Sequence, residues 1–374
     1  MRVLIAGGGT GGHLFPGIAL AEELVRRGDT VVFVGTERGI ESRAVPKEGF
    51  PLELIDVGGL KGKGLGGVVR GLLRVPRALL QSLAILRRHR PDLVVGVGGY
   101  ASGPMVLAAA LSGRPTAILE QNSVPGITNR ILGRVVRAVF AAFEESRRYF
   151  PSGKVRLAGN PIRKKLREAL ALDVASQHPD AASQNAHAAS QQWASILVCG
   201  GSQGAHAVNE LVAEALSLLA AEVRLPARLR LLHQTGKEDV APVEERYRKA
   251  GIAADVRAFI DDMASAYRDA DLVIGRAGAT TIAEITAIGR ASLLIPFPHA
   301  ADDHQTVNAR SLERAGAARV FDQRSLTPRL LADAIAELLA DGALRTRMAA
   351  TARALGRPDA AREIAEALSS LAGG

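Results

Sequence analysis

One unit recurs four times in this chain and limits what it can fold into: a short apolar run, a glycine-rich turn, then a helix-like stretch. Val3–Ala6 leads into GGGTGG and then Ile18–Arg27, closed by Gly28. Asp92–Val97 leads into GGYASG and Met105–Leu111, closed by Gly113. Ser195–Cys199 leads into GGSQGA and Val208–Leu219, and Asp271–Ile274 into GRAGAT and Ile282–Ile288, closed by Gly289. Short apolar strands alternating with amphipathic helices imply an α/β protein whose parallel sheets carry helices on both faces. In such sheets ligands bind outside the carboxyl ends of the strands, where these glycine turns fall.

The chain's 374 residues exceed one ordinary core and suit two domains. Composition breaks once, at the Ala/Ser/Gln-rich tract 173–194, which lacks Lys and Arg and reads as a mobile loop or linker. Asn160–Arg163 (NPIR) lies just before it, where a first domain would hand over to a second. No run approaches the length of a membrane span, and Val3–Ala6 is too short for a signal peptide. Cys199, the only cysteine, excludes an intrachain disulfide and suits a reducing compartment.

The formal charge of +9 is unevenly placed. From Val57 to Pro91 there is no acidic residue, while Lys61, Lys63, Arg70, Arg74, Arg77, Arg87, Arg88 and Arg90 alternate with leucines, valines and Ile85. A basic segment with an apolar face fits docking on an anionic membrane surface, although an ordinary solvated helix has the same look. Aromatics make up only 4% and do not interleave the charges, which disfavours nucleic acid.

The turns carry the candidate chemistry. In GGGTGGH the bare backbone lets a ligand approach closely, and the helix behind it offers unpaired N–H groups to a phosphate. Pro16 fits a first helical turn. Gly7, Gly9 and Gly12 also satisfy G-x-G-x-x-G, but the acid that should hold a dinucleotide's ribose is at best Glu37, which comes late. His13 is either a packing histidine or a general base suited to a sugar hydroxyl. In GRAGATTIAE, Thr281 to Glu284 fits a capping box, while Arg276 and the small residues Ala277, Gly278 and Ala279 could hold a diphosphate and Glu284 a ribose. His299, Asp302, Asp303, His304, Gln305 and Asn308 follow another strand. Their spacing matches no zinc frame, so a sugar-binding loop fits better, with Gln305 able to bond two hydroxyls at once. Glu120, Gln121 and Asn122 end a further strand, as a polar loop or with Asn122 facing a ligand.

GGTGGHLFPGIALAEEL, GLKGKG, VGVGGYASGP, EQNSVPGITN, GNPIR, GGSQGA, FIDDM, GRAGATTIAE and the Gln305–Asn308 stretch, in that order over nearly the whole chain, resemble the MurG family of glycosyltransferases. The tract 173–194 departs from the family pattern, as does His304, where some relatives carry a second Gln. The resemblance implies the GT-B fold, two Rossmann-like domains with parallel sheets facing a central cleft. Residues 1–162 would form an acceptor- and membrane-facing domain and 163–345 a UDP-sugar-binding domain, with 346–374 a helical segment packing back on the first. The implied activity is inverting transfer of N-acetylglucosamine from UDP-N-acetylglucosamine to the C4 hydroxyl of the N-acetylmuramoyl sugar of lipid I, giving lipid II. No cofactor or metal is implied, and the site would be peripheral, at the cytoplasmic face of the bacterial plasma membrane.

By the same match His13 is the general-base candidate, and Thr10, Gly11 and Gly12 belong to the donor-binding set and also approach the acceptor's diphosphate. Asn122 and Arg163 are donor-site residues, and Ser202 contacts the diphosphate. Ile260 presents its backbone to the uracil. Ala279, Thr280, Thr281, Ile282, Ala283 and Glu284 line the diphosphate and ribose, and Gln305 binds the N-acetylglucosamine hydroxyls. A UDP-N-acetylglucosamine 2-epimerase, a dinucleotide-dependent oxidoreductase and a non-catalytic nucleotide sensor are the competing readings.

Overall fold

The computed structural model describes residues 1–57, 65–176, 193–201 and 204–373. They divide into two compact units, Met1–Lys164 with Arg357–Gly374, and Lys165–Gly356. The first unit holds seven strands: β1 (Arg2–Gly7), β2 (Thr30–Gly35), β3 (Leu52–Leu54), β4 (Leu93–Gly98), β5 (Thr116–Glu120), β6 (Ala138–Ala141) and β7 (Val155–Leu157). They form one parallel sheet in the order β3-β2-β1-β4-β5-β6-β7. The second unit holds β8 (Trp193–Cys199), β9 (Arg228–Gln234), β10 (Ala254–Arg257), β11 (Leu272–Gly275), β12 (Ala291–Leu294) and β13 (Ala318–Val320). Their parallel order, β10-β9-β8-β11-β12-β13, repeats the plan. Each sheet is therefore Rossmann-like, and its strand order reverses once, between β1 and β4 and between β8 and β11.

Alternation along the strands sorts the first core into two layers. Val3, Ile5, Phe33 and Val95 face the helices Gly11–Arg26 and Ala360–Gly373. Leu4, Ala6, Val34 and Val94 face the helices Leu65–His89 and Ser102–Leu111 on the other side. The C-terminal helix is thus part of the first unit's core, with Ile364, Ala365 and Leu368 fully buried there. The helix before it, Gly342–Leu355, packs against Ala279–Ile288 and β12, so the crossing to the first unit begins at Arg357 rather than at residue 346.

Several boundaries differ from the sequence expectation in one direction. The helices start inside the glycine turns or directly after them: at Gly11 rather than Ile18, at Ser102 rather than Met105, at His206 rather than Val208, and at Ala279 rather than Ile282. Glycine and serine are poor helix formers, but the strand before each turn fixes where the chain must reverse, and packing overrides propensity. Pro16 therefore lies in the interior of helix Gly11–Arg26 and does not open it. Lacking an N–H, it cannot bond the Gly12 carbonyl. The tract 173–194 is shorter than its composition implied: helix Lys164–Ser176 takes its first residues and β8 its last, while 177–192 lie outside the described residues.

Leu368 links the C-terminal helix to the first unit's core. Leu368→Ala should lower the unfolding free energy of that unit by about 2–5 kcal/mol. Urea unfolding should show that transition moving while the second unit's stays in place.

Candidate functional site

The first unit's candidate residues cluster where β1 and β4 part. Gly8 N–H donates to the Gly98 carbonyl at 3.1 Å. A Cβ on Gly7 would strike the Gly98 carbonyl, and one on Gly99 the Gly8 carbonyl, so the two turns interlock backbone against backbone. Thr10 caps helix Gly11–Arg26 by position, yet its side chain caps no N–H. Its hydroxyl instead meets His13 Nδ1 at 3.0 Å, and the ring lies against Gly98, where no Cβ would fit. Thr10, Gly11, Gly12 and His13 are thus the cap and first residues of one helix, with Thr10 and Gly12 exposed and His13 half-buried.

Behind this turn stands a carboxylate that the motifs did not single out. Glu41 is 1% exposed. It accepts Gly9 N–H at 2.7 Å, Thr36 N–H at 2.9 Å and the Thr36 hydroxyl at 2.9 Å. A Cβ on Gly8, Gly35 or Gly39 would overlap its side chain. This acid near the end of β2 is turned into the glycine turn itself, while Glu37 is exposed. Neither is placed as the ribose acid of a dinucleotide site. The signal for Glu41 was present as an acid closely following Gly35 and Gly39.

At the end of β5, Glu120 is buried and accepts Asn122 N–H at 2.9 Å and Asn129 Nδ2–H at 2.8 Å. Burial pushes its carboxyl up to about 7, against the opposing pull of those donors and of Arg130. Asn122 is half-buried and held through its backbone, and Arg163 is half-buried just before helix Lys164–Ser176.

In the second unit the candidates lie after β8, β10, β11 and β12. Ser202 lies outside the described residues. Ile260 is buried, and its N–H donates to Gln234 Oε1 at 3.3 Å, while Gln234 Nε2 donates to the Gly201 carbonyl at 2.8 Å. Gln234, unmarked in the sequence, thus ties the GGSQGA turn to the FIDDM segment. Beside it His233 is enclosed by the Tyr247 hydroxyl at 2.9 Å and Asn209 Oδ1 at 3.2 Å, and burial pushes it down to about 3, a neutral core imidazole.

Helix Ala279–Ile288 is capped by Gly278 and carries Ala279, Thr280, Thr281, Ile282, Ala283 and Glu284 in its first turns. The capping-box reading fails here. Thr281 already has helical backbone, so it cannot be the cap, and Glu284 lies beyond the first turn, buried at 2% exposure. Thr280 Oγ1 is buried with no hydrogen-bond partner. Arg276 points away from that helix end: its Nη1 donates to the Ile295 and Pro296 carbonyls at 3.1 and 3.0 Å, and its guanidinium lies over the Phe297 ring. Burial lowers it to about 10, still charged. It braces the loop after β12. In that loop Gln305 Oε1 accepts Phe297 N–H at 2.9 Å, which orients the carboxamide and leaves both Nε2 hydrogens for a sugar. Asp302 and Asp303, at φ of 53° and 52°, are successive left-handed non-glycine residues. Such strain gathers at functional loops. Among the described residues no three His, Cys, Asp or Glu side chains meet to hold a metal.

Comparison with known proteins agrees with this division. Residues 3–141 match the glycosyltransferase family 28 N-terminal domain, and residues 195–364 its C-terminal domain. The chain is 55% identical to a UDP-N-acetylglucosamine–N-acetylmuramyl-(pentapeptide) pyrophosphoryl-undecaprenol N-acetylglucosamine transferase of Myxococcus xanthus, over 98% of this chain and 92% of that one. The crystal structure of Acinetobacter baumannii MurG is 32% identical, covers 99% of both chains and superposes with a TM-score of 0.79. A putative UDP-N-acetylglucosamine 2-epimerase structure from Listeria monocytogenes, 14% identical with a TM-score of 0.66 over 99% of this chain and 96% of that one, shares the fold alone.

Glu120 gives a test with a defined sign. Its folded proton affinity exceeds that of a free glutamate, near 4.3, so its contribution to stability is full below about pH 4 and lost as pH rises through about 7. Glu120→Gln carries no such proton. Urea unfolding at pH 5 and pH 8 should show the variant gaining stability relative to the native chain as pH rises.

Proposed function

The chain belongs to glycosyltransferase family 28, and from that membership we propose how its residues carry out the transfer it performs. It moves N-acetylglucosamine from UDP-N-acetylglucosamine to lipid I, making lipid II for peptidoglycan. The observation that carries the residue assignments is a pair of glycines whose side is open. At Gly12 and at Gly278 a Cβ would meet nothing nearer than a threonine hydroxyl at 3.9 Å, and neither has a left-handed φ. Internal packing does not demand either one. What a missing Cβ leaves there is room for an anion against the N–H groups of a helix start.

In the first unit the start of helix Gly11–Arg26 meets the acceptor diphosphate, and His13, its ring oriented by Thr10, removes the proton of the acceptor's C4 hydroxyl. That oxygen attacks the anomeric carbon in one inverting displacement, the bond to the diphosphate oxygen breaks, and UDP leaves. In the second unit the start of helix Ala279–Ile288 steadies the charge growing on the leaving diphosphate, with Ala279, Thr280 and Thr281 against it and Ile282 and Ala283 behind. Glu284 accepts the ribose hydroxyls. Ile260, its N–H already donated to Gln234, offers its carbonyl to the uracil N3–H. Gln305 donates from Nε2 to a sugar hydroxyl, and Asn122, Arg163 and Ser202 complete the donor set. The acceptor's lipid calls for a membrane face. Exposed Leu80, Leu111, Ile127 and Ile131 belong to helices of one layer of the first unit, accompanied by exposed Arg77, Arg87, Arg88 and Arg134. We assign this layer to an anionic bilayer surface at the cytoplasmic face of the plasma membrane. Lys61 and Lys63 and the side chains of Arg70 and Arg74 lie outside the described residues, and no described helix is long and apolar enough to cross a membrane.

Transfer of labelled N-acetylglucosamine to a lipid I analogue, with UDP release counted in parallel, tests the chemistry. His13→Ala should cut turnover about 10²-fold or more with UDP affinity retained. Loss of UDP affinity alone would refute its role as base. Glu284→Ala should raise the donor KM, and an unchanged donor KM returns Glu284 to a structural residue. The chain should sediment with anionic vesicles at low salt and be released by high salt, and equal binding to neutral vesicles would sink the membrane assignment.

A further inference from the structure

Three donors converge on Glu41, and its surroundings accept nothing else. Oε1 receives both the N–H and the hydroxyl of Thr36, and Oε2 receives Gly9 N–H. Gly8, Gly35 and Gly39 lack the Cβ atoms that would occupy the carboxylate's place. A carboxamide cannot replace it, because either orientation sets an NH2 against an N–H. The turn is otherwise anchored by Gly8 N–H on the Gly98 carbonyl. Gly9 itself lies exposed with a left-handed φ of 85° and open space on its side, so neighbouring side chains do not hold it. The next residue is Thr10, whose hydroxyl orients His13.

We infer that Glu41 is a positioning residue for the reaction: by clamping Gly9 N–H it fixes Thr10, and through Thr10 the ring of His13. The link to catalysis rests on the reading of His13 as base, whereas the link from Glu41 to the His13 ring does not. Glu41 touches neither substrate in this scheme, and the donor-binding helix Ala279–Ile288 belongs to the other unit. Its loss should therefore act on kcat and on the His13 ring.

The test uses the full chain and two variants. Glu41→Gln puts a donor against a donor. Gly39→Ala keeps the carboxylate but pushes it from its seat, and serves if the first variant does not fold. The expected result is a fall in kcat of about tenfold to a hundredfold. With it comes an altered titration of the His13 imidazole, followed by nuclear magnetic resonance against pH in the absence of substrate. A His13 titration identical to that of the native chain in folded variants overturns the inference. So does a kcat that falls only with the fraction of folded protein. If His13→Ala proves active while the His13 titration still moves in Glu41→Gln, the clamp stands and the assignment of the base falls.

Discussion

Backbone lies against backbone where β1 and β4 separate, and the first unit's site depends on that contact. Parallel neighbours whose connections leave in opposite directions open a gap at their carboxyl ends. Here the gap is closed by Gly7 and Gly8 on one side and Gly98 and Gly99 on the other, with no side chain between them. The close approach brings the start of helix Gly11–Arg26 over the sheet end and sets the His13 ring on Gly98. A Cβ at Gly7, Gly98 or Gly99 would separate the strands' ends or move the ring, and one at Gly8 would displace Glu41.

The second unit solves the same problem by similar means. A Cβ on Gly275 at the end of β11 would strike the Cys199 carbonyl at the end of β8, and one on Gly204 would strike the Thr235 carbonyl. Gln234 then spans from Gly201 to Ile260, joining two turns that are distant in sequence. Both units thus use the glycines at their strand ends for internal fit, while Gly12 and Gly278, at helix starts, stay open.

Three buried charged side chains are stabilised by dipoles. Glu41 is met by two N–H groups and a hydroxyl, and Glu120 by the N–H of Asn122 and the amide of Asn129. Arg276 is satisfied by two carbonyls. Such bonds fix position with less tolerance than an ion pair on the surface, because in each case at least one partner is a main-chain group. The many surface ion pairs, such as Arg88 with Glu53 or Arg248 with Glu245, are solvated and add little to stability.

The alternation of apolar runs with glycine turns determined by itself that the sheets are parallel and doubly covered, because only strands buried on both faces read as continuous Val, Ile and Leu. The motif order determined the family, and the strand ends determined where Thr10, His13, Asn122 and Glu284 would stand. Tertiary structure alone decided where the helices begin, since Gly11 and Ser102 enter helices that their own propensities oppose. It also decided which glycines serve packing and which stay open, because that depends on atoms far along the chain, such as the Gly98 carbonyl above Gly7. Arg276 looked like a diphosphate ligand because its partners, the carbonyls of Ile295 and Pro296, are invisible to a pattern of side chains. Glu41 was missed for the same reason: a carboxylate bound by main-chain N–H groups leaves no complementary residue type in the sequence.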